Sequence, residues 1–336
     1  ETGETDGTSS PTYSQLLGET LTSFAKQDPQ VVAITAAMPG GTGLSCFRDD
    51  EEVKDRYFDV GIAEEHAALF ACGLATQEIK PFLTIYSTFM QRAFDMLVHD
   101  VGIQNLPVRL CMDRAGLSGD DGPTHHGLFD IGYLRHVPNF VFMQPKDEDE
   151  FVDMLWTMAN YDDGPIAVRY PRGIGTGAQP KAKPQAIEIG TAEVISDDGD
   201  VALIGLGHLF SLAEETRDRL EAEEYSVSLV NPRFIKPLDA ESIAKVAKRA
   251  RVVCTFEDHV LHNGFGAAVI ELLHDMGIDT PVVRIGWPDE FVEHGNIPAL
   301  RSKHGITADA ALAKITYTLG EPTPVRESAK LAGATA

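Results

Sequence analysis

Short apolar runs alternate with helical patterns along this chain, and that alternation limits the possible fold more than any other feature. Runs such as "VVAIT", "PFLTIY" and "PVRLCM" are separated by segments whose apolar residues recur every three or four positions. Strands that alternate with helices in this way form a parallel sheet covered by helices. We therefore expect an α/β protein built from two doubly wound domains.

The alternation is interrupted once, by a stretch rich in glycine, proline and lysine at residues 171–185. Such composition is typical of a linker between domains. Strand-like runs then resume with "DVALIGLG" and "RVVCTF", which predict a second, smaller α/β domain. The expected segments are a linker remnant at 1–10, a first domain at 11–172, an interdomain linker at 173–185, a second domain at 186–320 and a disordered tail at 321–336.

Charge and cysteine content exclude several classes of protein. Acidic side chains outnumber basic ones by 51 to 28, for a formal net charge of −23, which disfavours binding to nucleic acids or anionic membranes. No apolar run approaches the ~20 residues that span a bilayer. The four cysteines have no CxxC spacing, so we expect free thiols and a cytoplasmic protein without a zinc site.

Polar side chains follow the expected strands, where ligands of open parallel sheets bind. The segment "YFDVGIAEEHAALFACGLA" places two glutamates before an apolar helix. We expect Glu64 to be buried and Glu65 to face solvent, the alternative being that both simply favour the helix N-terminus. The segment "IYSTFMQRAFD" supplies Tyr86, Phe89 and Arg92. Core packing with one surface charge is the alternative explanation there.

The loop "DRAGLSGDDGPTHHG", residues 113–127, follows another apolar run. Its glycines permit sharp turns and close approach to a ligand. Arg114, Asp121 and His125 supply an anion clamp, a carboxylate acceptor and a proton-switchable donor. Arg172 in "RYPRG" follows a further strand at the same edge. Together these segments predict a binding cleft at the carboxyl edge of the first sheet.

The chain resembles the 1-deoxy-D-xylulose-5-phosphate synthase family of transketolase-like enzymes in "FDVGIAEEH", "YSTFMQRAFD", "DRAGLSGDDGPTHHGLFDIGYLR", "VRYPRG" and "VNPRFIKPLD". The resemblance implies a pyrimidine-binding domain, then a transketolase C-terminal domain, and thiamine diphosphate as cofactor. It also implies a transferase reaction: pyruvate loses carbon dioxide, and its two-carbon unit joins glyceraldehyde 3-phosphate. The product, 1-deoxy-D-xylulose 5-phosphate, would serve isoprenoid, thiamine and pyridoxal synthesis.

The resemblance also assigns roles to individual residues. Glu64 resembles the glutamate that contacts a ring nitrogen of the aminopyrimidine and, as a protonated acid, favours its imino tautomer. Phe89 resembles the aromatic ring that stacks on the pyrimidine, and Arg92 adjoins the same cofactor site. Glu64 and His125 are the expected catalytic residues. The residues that would hold the pyruvate-derived and glyceraldehyde 3-phosphate groups are Tyr86, Arg92, Arg114, Asp121, His125 and Arg172.

One part of the family pattern is missing from this sequence. Family members hold the diphosphate and its magnesium through a GDG motif and a later asparagine in an N-terminal domain, and no such motif occurs here. We therefore expect this chain to contact only the pyrimidine end of the cofactor and to contain no metal site. Magnesium would bind through the N-terminal domain of the same enzyme, without which the chain would be inactive.

Two alternatives remain open: a C-terminal subunit of a transketolase, and a non-catalytic regulatory or assembly module on the same fold. Under any of these readings we expect a homodimer. The reason is that apolar helices such as 66–75 and 264–273 exceed what one sheet needs to cover it.

Three other patterns have simpler explanations. "GLGH", residues 205–208, lacks the third glycine of a dinucleotide-binding fingerprint, so we expect a tight strand-to-helix turn. The histidines and acids of "FEDHVLHNGFG", residues 256–266, lack a tetrahedral ligand pattern, so we expect a polar loop between domains or protomers. His66 and His99 lie among apolar residues, and we expect both to be structural histidines with satisfied hydrogen bonds.

Overall fold

The structure is a computed structural model that describes residues 11–320, and it contains two separate sheets. The strands, in chain order, are β1 Val31–Thr35, β2 Tyr57–Asp59, β3 Lys80–Tyr86, β4 Arg109–Asp113, β5 Val141–Met143, β6 Ile166–Arg169, β7 Glu193–Ser196, β8 Val201–Gly205, β9 Val227–Asn231, β10 Phe234–Lys236, β11 Val252–Val260 and β12 Val282–Trp287. The expected linker remnant 1–10 and tail 321–336 lie outside the described residues.

Each sheet is parallel apart from one edge strand, which confirms the predicted α/β class. The first sheet has the order β10-β5-β6-β4-β3-β1-β2, and only β10 runs antiparallel to its neighbour. The second has the order β12-β11-β8-β9-β7, and only β7 runs antiparallel. Strands β1, β4 and β8 are buried at every residue, as expected for parallel strands covered on both faces.

Helices cover the two sheets, and none within residues 11–320 is long and apolar enough to cross a membrane. The first begins at Tyr13, because Thr12 and Gln15 form a reciprocal capping box there. The helices are α1 Tyr13–Gln27, α2 Ser45–Asp49, α3 Glu64–Ala75, α4 Ser87–Met90, α5 Phe94–Met96, α6 Asp130–Leu134, α7 Glu148–Ala159, α8 Phe210–Ala222, α9 Ala240–Arg249, α10 Phe265–Asp275, α11 Ile297–Lys303 and α12 Ala308–Leu319.

The segment after β3 is not one regular α-helix. Helix α4 gives way to a 3₁₀ turn at Gln91–Ala93, and α5 continues into a π-helical turn at Leu97–Gly102. Each of these segments is only three to six residues long, which is too short for an apolar period to separate the helix types. Departures of this kind are frequent beside functional sites. Here the 3₁₀ turn carries Arg92, which pairs with Glu64 on α3.

The polar loop expected at residues 256–266 is partly wrong, because β11 continues through Glu257, Asp258 and His259, all buried. Buried polar groups need partners, and each of these has one. Glu257 accepts hydrogen bonds from the first two backbone N–H groups of α10. Asp258 accepts from Trp287, and His259 Nε2 accepts from Gly132 N at 3.1 Å. Since Gly132 belongs to the first domain, the expected interdomain position is correct.

The two domains are joined more closely than a linker alone requires. Strand β10, from the second half of the chain, adds to the edge of the first sheet beside β5. One cluster of buried apolar side chains also includes residues of both halves, such as Leu110 and Ile131 with Ile204 and Val253. The two sheets therefore share part of their hydrophobic core.

The two histidines expected to be structural lie on the surface instead. His66 is exposed on α3 and stacks beside Phe70, with ring centroids 6.3 Å apart. His99 is exposed in the π-helical turn, where its Nδ1 lies 2.9 Å from Asp95 Oδ1. Both helices bury their opposite faces in the core, so the apolar neighbours in sequence do not surround these rings.

Replacing His259 by Gln is expected to change how stability depends on pH. Burial lowers the pKa of His259 from about 6.5 to about 4, so below pH 6.5 the unfolded chain binds a proton that the folded chain excludes. The contribution of neutral His259 to the free energy of unfolding is therefore fully present above pH 6.5 and is lost as the pH falls towards 4. Gln keeps an acceptor for Gly132 N but does not titrate.

The stability advantage of wild type over His259→Gln should accordingly grow by about 2 kcal/mol from pH 5 to pH 7 and then level off. Urea unfolding of both proteins across this range measures the difference, and other titrating groups cancel between them. An advantage that is the same at every pH would contradict the expectation.

Candidate active site

A cleft of about 510 Å³ opens at the carboxyl edge of the first sheet. It lies where the strand order changes direction, because β1 has β2 on one side and β3 on the other. Ligands of open α/β sheets bind at such switch points. The loops after all three strands line the cleft: residues 36–41 after β1, Ile62 and Glu64 after β2, and Tyr86, Phe89 and Arg92 at the end of β3 and beyond it.

Glu64 supplies a buried carboxylate at this cleft. It is the first residue of α3 and is 2% exposed, whereas Glu65 is exposed, which confirms the prediction that only Glu64 is buried. Arg92 Nη1 donates to both Glu64 oxygens, at 3.0 and 3.2 Å. Glu64 is therefore ion-paired with Arg92 in this structure.

Aromatic and cationic side chains form a row from the cleft towards the second domain. The rings of Tyr86 and Phe89 stack with centroids 5.7 Å apart. The Arg92 guanidinium lies 5.4 Å from the Phe89 centroid, and the Arg114 guanidinium lies 3.8 Å from the Tyr86 centroid. Contacts at these distances are attractive because the ring faces carry partial negative charge.

The loop 113–127 turns sharply at its start. Arg114, the first residue after β4, has a left-handed backbone with φ of 59°, which is uncommon outside glycine and often marks a functional site. Asp121 Oδ2 accepts a hydrogen bond from Arg114 at 3.2 Å and forms an ion pair with Arg172 at 3.0 Å. Two cations around one carboxylate leave one positive charge, which suits an anionic ligand.

The two adjacent histidines of the loop have different surroundings. His125 lies at the cleft side, with its ring 5.4 Å from Phe89 in an edge-on arrangement, and Thr124 Oγ1 is 2.9 Å from its Nδ1. His126 is buried and accepts from Ser118 N, and burial lowers its pKa. Of the pair, His125 is thus the one placed to reach a ligand.

Burial changes the acidity of two neighbouring groups. It raises the pKa of the Tyr86 hydroxyl, although the Arg114 guanidinium opposes that rise. It also raises the pKa of Asp113 to about 7, against the hydrogen bond that Ser14 donates at 2.7 Å. Tyr86 therefore remains a neutral hydrogen-bonding group at physiological pH.

The structure brings all the predicted site residues into one chain of contacts, but not into one cavity. Four of them line the cleft. His125 joins this group through Phe89, and Arg114, Asp121 and Arg172 join it through Tyr86. Arg172 also borders a separate cavity of about 260 Å³ between the domains.

Sequence reasoning missed the loop after β1. Residues 36–41 line the cleft, Ala37 has φ of 60°, and a side chain at Gly41 would overlap the Tyr86 hydroxyl. The signal was present in "AAMPGG", because a glycine pair follows an apolar strand there. Applying the same post-strand rule to the first strand would have identified it.

The cleft fits the pyrimidine end of thiamine diphosphate. It combines a buried carboxylate for a ring nitrogen, the Phe89 ring for the aromatic face, and apolar side chains from Met38 and Ile62. A diphosphate with magnesium needs several oxygen ligands in addition. Among residues 11–320 no group of three or more histidine, cysteine and acidic side chains is arranged to hold a metal ion.

Comparison with known proteins gives two family matches. Residues 9–176 match the transketolase pyrimidine-binding domain, and residues 190–310 match the transketolase C-terminal domain. The 1-deoxy-D-xylulose-5-phosphate synthase of Acidobacterium capsulatum is 55% identical over 97% of this chain and 51% of its own length. That of Methylacidiphilum infernorum is 51% identical over 96% and 50%. The chain thus spans about half the length of the curated relatives it matches.

Solved structures agree with this assignment. A split-gene transketolase, described as an inactive β4 tetramer, superposes with a TM-score of 0.80 at 27% identity and covers 93% of this chain and 99% of its own. Transketolase from Campylobacter jejuni gives a TM-score of 0.75 at 17% identity, over 93% of this chain and 47% of its own, and shares the fold. The chain therefore belongs to the transketolase family and corresponds to the C-terminal half of 1-deoxy-D-xylulose-5-phosphate synthases.

Proposed function

We propose that this chain is the part of a 1-deoxy-D-xylulose-5-phosphate synthase that binds the pyrimidine end of thiamine diphosphate and both substrates, pyruvate and glyceraldehyde 3-phosphate. The observation that carries the proposal is the buried Glu64 carboxylate beside Phe89 in a cleft at the switch point of the sheet. A carboxyl group and an aromatic face are the partners that an aminopyrimidine requires. The diphosphate and magnesium would bind to the N-terminal domain of the same enzyme.

Thiamine diphosphate supplies an electron sink that allows pyruvate to lose carbon dioxide and its two-carbon unit to join an aldehyde. The residues of this chain bind and orient the groups. Glu64 would turn from Arg92 to a ring nitrogen and hold a proton there. The freed Arg92 guanidinium, half exposed at the cleft, could then pair with the carboxylate of pyruvate.

The row beyond Tyr86 would hold glyceraldehyde 3-phosphate. Arg114 and Arg172 both pair with Asp121, and a phosphate carries more charge than that carboxylate, so it can compete for the same guanidinium groups. His125, at the junction between the row and the cleft, is placed to exchange a proton with a carbonyl or hydroxyl oxygen. These roles are consistent with one substrate lying along the row.

Replacing Arg114 by Ala should raise the KM for glyceraldehyde 3-phosphate roughly tenfold to a hundredfold, since a charge-assisted bond to phosphate would be lost. The effect should disappear with unphosphorylated glyceraldehyde as acceptor. Steady-state kinetics of the assembled enzyme measure both, and Arg48→Ala on the surface of α2 is the matched control. An equal loss with both acceptors would argue against a phosphate contact.

A transketolase subunit is the second candidate, favoured by the split-gene transketolase whose chain matches over 99% of its length. The two functions use different donors. After addition of a diphosphate-binding subunit, a synthase releases carbon dioxide from pyruvate, whereas a transketolase transfers a two-carbon unit from a ketose phosphate. Activity with ketose donors alone would overturn the proposed synthase function.

We also propose a homodimer in the cytoplasm. Around α3 the side chains of Ile62, Leu69 and Ile103 are 80%, 42% and 70% exposed, and exposed apolar groups of this kind favour association. The four cysteines are free thiols, which supports a reducing compartment. We expect the mass of a dimer in light scattering at micromolar concentration, and that of a monomer for Leu69→Asp. A monomeric wild-type chain would contradict the dimer.

A further inference from the structure

The loop 113–127 carries the proposed substrate residues but is anchored in the second domain. Leu117 and Leu128, near its two ends, are 3% and 2% exposed. Both belong to the core cluster built mainly by the second sheet, together with residues such as Phe256 and Trp287. Burial of two leucines in this cluster stabilises the observed position of the loop. The loop therefore cannot move away from the second domain without exposing apolar surface.

Asp258 of β11 fixes the neck of this loop. The neck is closed by two backbone hydrogen bonds of 2.8 Å, in which Gly116 and Gly127 each donate to the other. Asp258 Oδ2 accepts from Leu117 N at 3.3 Å. Gly116, with φ of 86°, packs directly on the same carboxylate, and a side chain there would overlap Asp258 Oδ2. Close approach of the carboxylate to the neck thus requires glycine.

The backbone around Asp258 holds the other side of the neck. Arg169 is fully buried, and its Nη2 donates both to Gly127 O at 3.2 Å and to Asp258 O at 3.1 Å. The next two residues of β11 continue the contact: His259 accepts from Gly132 N, and Val260 N donates to Leu128 O at 3.2 Å. The end of β11 therefore contacts the start of the loop at Leu117 and the chain that follows the loop at Leu128 and Gly132.

The Asp258 carboxylate is itself held on the second domain. Its Oδ1 accepts from Trp287 Nε1, and His208 Nε2 lies 2.8 Å from its Oδ2. The side chain is 2% exposed, so water cannot replace the Leu117 amide as a partner. Because Trp287 and His208 hold this carboxylate in place, it offers a rigid hydrogen-bond acceptor to the neck of the loop.

We propose that Asp258 is a positioning residue, through which the second domain holds the neck of loop 113–127 and so orients Arg114, Asp121 and His125 for the phosphorylated substrate. The inference rests on the proposed function, because that function gives the loop its substrate. It assigns the second domain a part in substrate recognition, although none of that domain's residues lines the cofactor cleft.

Hydrogen exchange of this chain, followed on peptides that cover the loop and strands β1 and β3, tests the positioning. Asp258→Ala should speed exchange in the loop roughly tenfold to a hundredfold, the effect of losing a hydrogen bond to a charged group, and leave the strands unchanged. Glu257→Ala is the control, since it removes a buried carboxylate from the same strand whose hydrogen bonds go to the start of α10 and not to the loop.

If Asp258→Ala does not fold, Gly116→Ala tests the same contact, because its added methyl group would overlap Asp258 Oδ2. Its control is Gly277→Ala, which also has positive φ, 66°, but has nothing near the added methyl group. In the enzyme assembled with a diphosphate-binding domain, Asp258→Ala should raise the KM for glyceraldehyde 3-phosphate about tenfold. Affinity for thiamine diphosphate should not change, because no cleft residue lies on the loop.

Unchanged loop exchange in both variants would overturn the proposal, as would a uniform rise over the whole chain, which indicates a merely structural residue. A loss of cofactor affinity equal to the loss for the aldehyde would overturn it as well. Faster loop exchange with an unaltered KM would uphold the positioning and overturn the proposed function instead, since the loop would then not bind the substrate.

Discussion

Replacing Glu64 by Gln is expected to lower turnover of the assembled enzyme by about 10²–10⁴-fold, the usual loss when a positioned acid–base group is removed. Gln matches the size of Glu64 and keeps a hydrogen-bond acceptor, but it cannot carry the proton that the cofactor's ring nitrogen requires. Folding should be retained, because Arg92, the lost ion-pair partner, is half exposed and can turn to water. Circular dichroism and the thermal midpoint check this.

Glu65→Gln is the matched control for this experiment. It makes the same chemical change at the next position of α3, where the side chain is exposed, and turnover should be unaffected. Near-normal turnover of Glu64→Gln would remove the assignment of Glu64 to the cofactor. Equal losses in the two variants would instead indicate that both act through the helix N-terminus, the simpler explanation of the acidic pair.

The second large effect is expected from the chain as a whole: it should fold but show no synthase turnover by itself. The cleft offers the pyrimidine one carboxylate and one aromatic face. Losing two or more charge-assisted contacts to a diphosphate lowers affinity roughly hundredfold to ten-thousandfold. Calorimetry with thiamine diphosphate and magnesium should therefore detect no tight binding to this chain, even though each domain has its own core.

Adding a diphosphate-binding domain together with magnesium and thiamine diphosphate should restore pyruvate-dependent formation of 1-deoxy-D-xylulose 5-phosphate. The same mixture with Glu64→Gln provides the control for contaminating activity. Steady turnover by the chain alone, or tight cofactor binding without the added domain, would show that the diphosphate is held by residues of this chain, and the division of the cofactor site would have to be abandoned.

Local pattern determined the architecture of both domains. Runs such as "VVAI" and "VALIG" are apolar at every position, and only a strand covered on both faces buries all of them. The rule that ligands bind beyond strand ends then located the cleft. The burial of Glu64 was also predictable, because the helix that follows it is almost entirely apolar. Each of these features depends on the polarity of residues that are adjacent in the chain, so it can be inferred from the sequence alone.

The partners within the site depended on tertiary structure. Nothing in the sequence pairs Glu64 with Arg92, 28 residues away, or places Arg114 and Arg172 on one carboxylate. Such pairs form because parallel strands bring distant loops to one edge, and which side chains meet there depends on strand order. Sequence periodicity does not contain strand order, so the sequence predicted four of the residues that line the cleft but not the contacts among them.

Tertiary structure also decided how the two domains meet. The acidic and histidine residues of "FEDH" predicted a loop, because burying charged groups without partners is costly. The fold supplies those partners from distant segments: Trp287, Gly132 and the start of α10. Strand β10 is only three residues long and gains its stability from β5. The sequence by itself thus determined most of the elements and the sheet edge at which the cleft opens, whereas long-range contacts alone decided which buried charges are tolerated and where.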